Sequence, residues 1–360
     1  MAEAPGFEHT RRLQAVSDRD ARRQHELFLD PAHAFDPAKL GSHRLFPLEM
    51  SWFYGEPVWH ALSPEQQLML NRLTFCQSYY STAVAEAATN VLNYESALAT
   101  FIREDPDVAL YMAREVVEES VHIEAFLIVI RKVLAHYGLG FDDLRAANPS
   151  LRMAQRFVQG HSLLGWLRGD LHYYYFTRFP LNVNQKTVER CAIDEPDMDP
   201  AVRELLKNHA IDEARHMQMS RRTGQVALSR MHPWLRVPAC LSFAQFAASL
   251  YIGRHDQDGR LPALTRMRTL MLCGVPEAEA RVAYREWRDR KNQPEDPPLV
   301  QAGRLYYVKR NFEYVDSLDV PEWTKRMMKR LIGRSYGDVI RAERSGELRP
   351  LHFDELERAA

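Results

Sequence analysis

Cysteine is scarce in this chain. Cys76, Cys191, Cys240 and Cys273 lie far apart and form no C-x-x-C pair, so neither a zinc knuckle nor a secreted disulfide framework is expected. A reducing, cytoplasmic setting is the default. Excess charge is lacking too: 47 Lys plus Arg face 48 Asp plus Glu. With no net field to recruit phosphate backbones or anionic lipid, nucleic acid and membrane are not expected partners. No stretch approaches ~18 uncharged apolar residues, and no apolar run follows Arg11, Arg12, Arg19 and Arg23. Neither a membrane span nor a secretory signal is therefore expected. Alternating β-branched runs with hairpin turns are nearly absent.

What is present is 360 residues with 46% hydrophobic and 10% aromatic content, enough for a sizeable core. Residues 1–45 are polar and irregular, with Pro5, Pro31 and Pro37, and read as an arm that wraps the body and carries little function. Ser63-Pro64-Glu65-Gln66 marks a helix start, with Ser as N-cap, Pro at the first helical position and Gln three residues after the cap. That helix should run to Phe101. Asp105-Pro106 opens a second, ending near Tyr137 before Gly138 and Gly140. A third stretch runs from about Leu151 to Ile193 with Pro180 inside it, and Asp199-Pro200 opens a fourth that reaches about Arg230. Four long helices joined by short turns imply a bundle, residues 46–230, with residues 231–360 as shorter helices packed on it in one domain. The fold class expected is all-α.

Two of these helices share a pattern. Asp105-Pro106 leads to Glu118-Glu119-x-x-His122, and Asp199-Pro200 leads to Asp212-Glu213-x-x-His216; each ligand-type Glu lies 14 residues after its capping Asp. Residues three and four apart share a helix face, so each E-x-x-H pair can aim a carboxylate and an imidazole inward at one height. Paired E-x-x-H helices are how di-iron bundles are built. Glu86, on a small-residue face 33 residues before Glu119, is brought level by an antiparallel return, and His209 extends the second stripe by a turn. The expected metal ligands are Glu86, Glu119, His122, His209, Glu213 and His216. Glu115 is the counterpart of His209. Glu118 and Asp212 should each accept the free imidazole N–H of the histidine on the opposite helix. A lone Glu and His at this spacing is usually a solvated face, but two pairs in register, all buried, need a cation to offset their desolvation.

These residues resemble the p-aminobenzoate N-oxygenase family of di-iron proteins. Its pattern is a Glu, about thirty residues, then an acidic-Glu-x-x-His, occurring twice with an extra His. The resemblance covers residues 45–230 and includes the lead-in Gly55-Glu56-Pro57-Val58-Trp59. It implies a ferritin-like four-helix bundle core with additional C-terminal helices, and a cofactor of two iron ions (Fe2+/Fe3+), with Mn/Fe also compatible. The implied activity is N-oxygenation of an aryl or amino-acid-derived amine in secondary metabolism. Implied partners are a small-molecule substrate, O2, an external electron donor (a reductase or ferredoxin-like protein) and a second copy in a homodimer. Two alternatives stand beside it: di-iron C–H hydroxylation or desaturation, and a metal-binding bundle without turnover.

One element departs from the pattern. Counting back about thirty from Glu213 reaches Asn182, where the family has a Glu, and the internal repeat points to Pro180; the nearest acids, Asp170 and Glu189, lie 9 or 10 residues from Pro180, over two helical turns or roughly 14 Å. Glu189 reaches through the kink at Pro180, or Asn182 or Asn184 offers a neutral oxygen, or the second metal is weakly held. The last two are the expectation. The aromatic run His172-Tyr173-Tyr174-Tyr175-Phe176, with Tyr79-Tyr80, reads as core or as the lining of an apolar cavity. Lys325-Arg326-x-x-Lys329-Arg330 with Trp323, Met327, Met328 and Leu331 reads as a solvated helix face or a docking surface.

Overall fold

A computed structural model describes residues 23–96, 101–102, 105–148, 171–249, 260–290 and 297–346. Among these residues the chain is all-helical and forms no strand. A π-helical turn, His25–Leu29, runs into α1 (Asp30–Ala34). After α2 (Pro57–Ala61) come α3 (Pro64–Ser96), α4 (Pro106–His136), α5 (Phe141–Ala147), α6 (Leu171–Ile193) and α7 (Pro200–Arg230). The rest is α8 (Pro233–Ser249), α9 (Arg260–Leu272), α10 (Glu277–Arg290), α11 (Pro298–Asp316), α12 (Glu322–Ser335) and α13 (Gly337–Ser345). The described part of the predicted third stretch begins at Leu171; residues 151–170, Asp170 among them, lie outside the described residues, as do 1–22 of the N-terminal arm.

Local chemistry sets the helix starts. Before α3, the Gln66 N–H donates to Ser63 Oγ at 3.3 Å while the Ser63 N–H donates to Gln66 Oε1 at 3.0 Å, a reciprocal capping box. Asp105 accepts from the Val108 N–H at 3.2 Å, and Asp199 from those of Ala201 and Val202 at 3.0 and 3.1 Å. With Pro at each first position, α4 and α7 begin in the same way. Gly138, at φ 68, ends the α4 turn in left-handed backbone.

Helix α3 packs along α4 and α6 along α7, giving two hairpins. Two apolar cores flank the space between them. One joins α3, α4 and the N-terminal segment to α9 and α10 through residues such as Phe28, Leu70, Phe75, Phe126, Val133 and Leu270. The other joins α6 and α7 to α8, α11, α12 and α13 through Phe179, Met217, Phe243, Tyr314, Ile332 and Tyr336. The N-terminal segment crosses from one hairpin to the other, touching both α4 and α7. Lys132 Nζ on α4 holds it down by donating to the carbonyls of Ala32, His33 and Phe35. The basic segment near the C-terminus forms α12, which buries Met328 and Ile332 and exposes Trp323 and Met327.

Candidate metal centre

The inward faces of α4 and α7 are unlike ordinary helix faces. Glu115, Glu118, Glu119 and His122 on α4, and His209, Asp212, Glu213 and His216 on α7, are all buried. Helix α3 adds Glu86, and α6 adds Arg178 and Glu189, likewise buried. Burying this many ionisable groups is tolerable only if each finds a partner.

The two E-x-x-H pairs are mirror images in their contacts. His122 Nδ1 lies 3.3 Å from Glu119 Oε2, and its Nε2 lies 3.1 Å from Asp212 Oδ2 across the bundle. His216 Nδ1 lies 2.9 Å from Glu119 Oε1 and 3.4 Å from Glu213 Oε1, and its Nε2 lies 3.1 Å from Glu118 Oε2. An ionised carboxylate only accepts, so Glu118 and Asp212 fix the outer ring nitrogens as donors and turn both Nδ1 atoms to the interior. Arg215 lies between those two acids, 2.7 Å from Asp212 and 3.5 Å from Glu118. Gln24 of the N-terminal segment donates to Asp212 at 3.0 Å.

His209 is oriented the other way round. Its Nδ1 sits 2.5 Å from Glu189 Oε1, and its Nε2 faces Glu86 Oε1 at 3.4 Å and Glu213 Oε1 at 3.8 Å. Opposite it in the internal repeat, Glu115 is paired with Arg178 and accepts from Asn93 at 3.4 Å. Ligand-type atoms gather into three groups, each within 4.8 Å: Glu119, His122 and His209; Glu86, Glu119, His209 and Glu213; and Glu115, Glu119 and His216. Glu119 belongs to all three.

Charge decides what such a cluster can hold. Seven buried acids (Glu86, Glu115, Glu118, Glu119, Glu189, Asp212, Glu213) face two buried guanidiniums, Arg178 and Arg215. Burial, then the charge of Glu119, pushes Glu86 up to about 7. Burial works to lower His209 and His216, but Glu189 beside the one and Glu119 beside the other raise both well above the ordinary imidazole range. His122 is raised as well, by Asp212 and Glu119 against its burial and the charge of His209. Asp212 is held low against burial by His122 and Arg215, and Glu119 by the imidazoles of His216 and His122. Without metal, protons therefore do the neutralising. Among the described residues Glu86 Oε2 and Glu115 Oε2 have no hydrogen-bond partner, and Glu86 Oε1 and His209 Nε2 have only each other's ion-pair contact at 3.4 Å and, for Nε2, that of Glu213. Buried, unpartnered acceptors beside a shared carboxylate fit two divalent cations, which would offset most of the negative excess. The donor set is oxygen and imidazole nitrogen without thiolate, which suits Fe or Mn rather than a structural Zn.

All six expected ligands converge here, with Glu118 and Asp212 on the imidazoles of the opposite helix. The expectation about Glu189 needs correction: it lies against His209. The register of the repeat points to the height of Glu213, whereas His209 stands a turn earlier on α7, roughly 6 Å along the axis, level with Glu189. Asn182 and Asn184 are half-buried and belong to none of the three groups. Glu115, expected behind the ligands, is itself in a group with Glu119 and His216. The N-terminal segment also does more than wrap. Gln24 reaches Asp212, and Phe28 packs on His122 with ring centroids 4.3 Å apart. Neither was legible, because an irregular segment shows no periodicity that assigns it a face. Tyr79 is packed core, its ring against Phe75 and Phe126, and Tyr80 lies against Phe141. The side chains of 172–176 lie outside the described ones. No described helix is long and apolar enough to cross a membrane.

Residues 26–150 match a family described as Acyl halogenase CylC-like, a di-iron, ferritin-like enzyme family related to the p-aminobenzoate N-oxygenase type. The match is to the halogenase family and not to the N-oxygenases themselves. Neither the comparison with curated proteins nor that with solved structures gives a match. The matched part contains Glu86, Glu115, Glu118, Glu119 and His122 and ends before α6 and α7. This helical chain thus carries a buried carboxylate and imidazole cluster compatible with a metal site, and over 26–150 it is similar to a family of oxidative di-iron enzymes.

Proposed function

We propose that this protein is a dimetal oxidoreductase that uses O2 and external electrons to functionalise a C–H bond of an acyl group, ending in a carbon–halogen bond where halide is available. The observation that carries the dimetal part is Glu119, which belongs to every ligand group and lies near Nδ1 of both His122 and His216. The acyl substrate and the halide come from the similarity over residues 26–150 alone.

In this reading Glu119, Glu86, His122, His209 and Glu213, together with His216 and Glu115, would hold the two ions, and Glu115 would supply the carboxylate that Asn182 lacks. When bound, the metal pair supplies dioxygen activation. The chain does the rest. Asp212 and Glu118 hold the Nε2–H of His122 and His216, and Glu189 holds the Nδ1–H of His209, so each imidazole offers its lone pair inward. Phe28 and Phe126, packed on His122 and His209, keep water off that side.

N-oxygenation of an amine is the second reading, favoured by His209, the third histidine that carries the resemblance to the N-oxygenases. The test is metal analysis of anaerobically iron-loaded protein, wild type and His209→Ala. Mass spectrometry of acyl thioesters and of aryl amines, incubated with O2, a reductant and bromide, follows. Two irons in the wild type, iron loss in the variant and a brominated or hydroxylated acyl product support the proposal. N-oxidised amine alone moves the assignment to the second reading. A protein that takes up no iron refutes both.

A further inference from the structure

Tyr79 stands on α3 two turns before Glu86 and is 1% exposed. Its hydroxyl donates to Glu189 Oε1 at 3.4 Å, the same oxygen that holds His209 Nδ1 at 2.5 Å. On its far side the His209 ring turns Nε2 to Glu86 and Glu213. Phenol, carboxylate and imidazole therefore stand in line, from the aromatic core to the place where the cations fit. Phe126 gives a parallel path of ring contacts, 4.4 Å from Tyr79 and 5.0 Å from His209 between centroids. Phe75 and Phe46 close the other sides.

Other buried tyrosines are placed differently. The Tyr307 hydroxyl donates to the backbone carbonyl of Ala247, which cannot take up a proton, and the Tyr111 hydroxyl, also near the cluster, has no hydrogen-bond partner among the described residues. A buried phenol that loses an electron becomes so acidic that its proton must leave with it, and that requires a base within reach. Tyr79 has one. Among the described residues Glu189 Oε2 is buried and without a hydrogen-bond partner, so the carboxylate has room for a proton. Exclusion of water protects the product of such a step.

We propose that Tyr79 is a redox-active residue that gives one electron to the metal pair once dioxygen has oxidised it, and its phenolic proton to Glu189. The O–H bond of Tyr79 breaks, an O–H bond forms on Glu189, Tyr79 is left as a neutral radical, and the metal pair is reduced by one electron. The residue thus drains an oxidising equivalent into the protected core when no substrate is there to consume it. This proposal rests on the dimetal reading above.

The test uses the full chain, loaded anaerobically with ferrous ion, assayed for metal, exposed to O2 without substrate and frozen for electron paramagnetic resonance. The expected result is an organic radical signal whose hyperfine splitting collapses in protein made with ring-deuterated tyrosine. Tyr79→Phe should lose the signal while retaining metal, Glu189→Gln, which holds metal more weakly and is loaded with excess ferrous ion, should lose it at matched metal content, and Tyr111→Phe should keep it. A loaded protein that consumes O2 but shows no radical overturns this proposal alone, as does a signal that survives Tyr79→Phe. A protein that binds no metal overturns the dimetal reading with it.

Discussion

Raising the pH should destabilise the metal-free protein while strengthening its hold on metal. Glu86 carries the number: its carboxyl is pushed from 4.5 to about 7 by burial and by Glu119. Between those values the unfolded chain has ionised Glu86 while the folded chain keeps the proton. The folded state then binds more protons, and stability falls as pH rises. At about 1.4 kcal/mol per pKa unit the full loss is about 3 kcal/mol, reached above pH ~7. At about 2 °C per kcal/mol for a chain of this size, that lowers Tm by about 6 °C. His122, His209 and His216 act in the same direction, since their pKa values are raised and their stabilising protons are lost as pH climbs. The depressed acids Glu118, Glu119 and Asp212 act oppositely, but their contribution is lost only as pH falls through the low carboxylate range, outside this window. Metal replaces the departing protons, so the loaded protein escapes the loss. The assay is thermal unfolding of chelator-treated and iron-loaded protein between pH ~5 and ~8, with Glu86→Gln alongside. The gap in Tm between the two forms should widen with pH, and the variant's metal-free slope should be shallower. A metal-free wild type that gains stability over this range would refute the reasoning, as would an unchanged slope in Glu86→Gln.

Three further outcomes follow from the contacts. Asp212→Asn and Glu118→Gln should each weaken metal binding by about 10–100-fold, measured by competition with a chromophoric chelator, because each frees one imidazole from its fixed orientation. Arg178→Met should cost the metal-free protein about 3–5 kcal/mol in denaturant unfolding by stranding the buried carboxylate of Glu115. Metal loading should recover part of that loss if Glu115 is a ligand, and none if it is not. Phe28→Ala, at a residue with 0% exposure, should cost about 3–5 kcal/mol and speed removal of bound metal by chelator in a stopped-flow assay.

What could be read from the sequence was what is local or periodic. The caps at Ser63, Asp105 and Asp199 need only a few consecutive residues, and the repeated E-x-x-H spacing is a property of one helix at a time. The cross-bundle partnership of Glu118 and Asp212 with the histidines was accessible because the two helices are near copies, so the register of one constrains the other. Glu189 is not legible in this way, because an antiparallel neighbour must be matched to a particular height and Glu189 is level with His209, not with Glu213. Arg178 opposite Glu115, Gln24 on Asp212 and Phe28 on His122 pair residues far apart in the chain, without motif or period to announce them.

The segment that crosses the two hairpins has a consequence for how the molecule is born. Gln24 and Asp212 are 188 positions apart, and Asn208 Nδ2 on α7 donates to the carbonyl of Leu27, 181 positions away. At ribosomal speeds of about 5–20 residues per second, the first of these residues waits roughly 10–40 s before its partner exists. Lys132 can fasten this stretch to the first hairpin early, but its bonds to the second form only after α7 is made. Until then the acidic interior stays open to the cell's pool of free ions, and afterwards the same latch delays their escape.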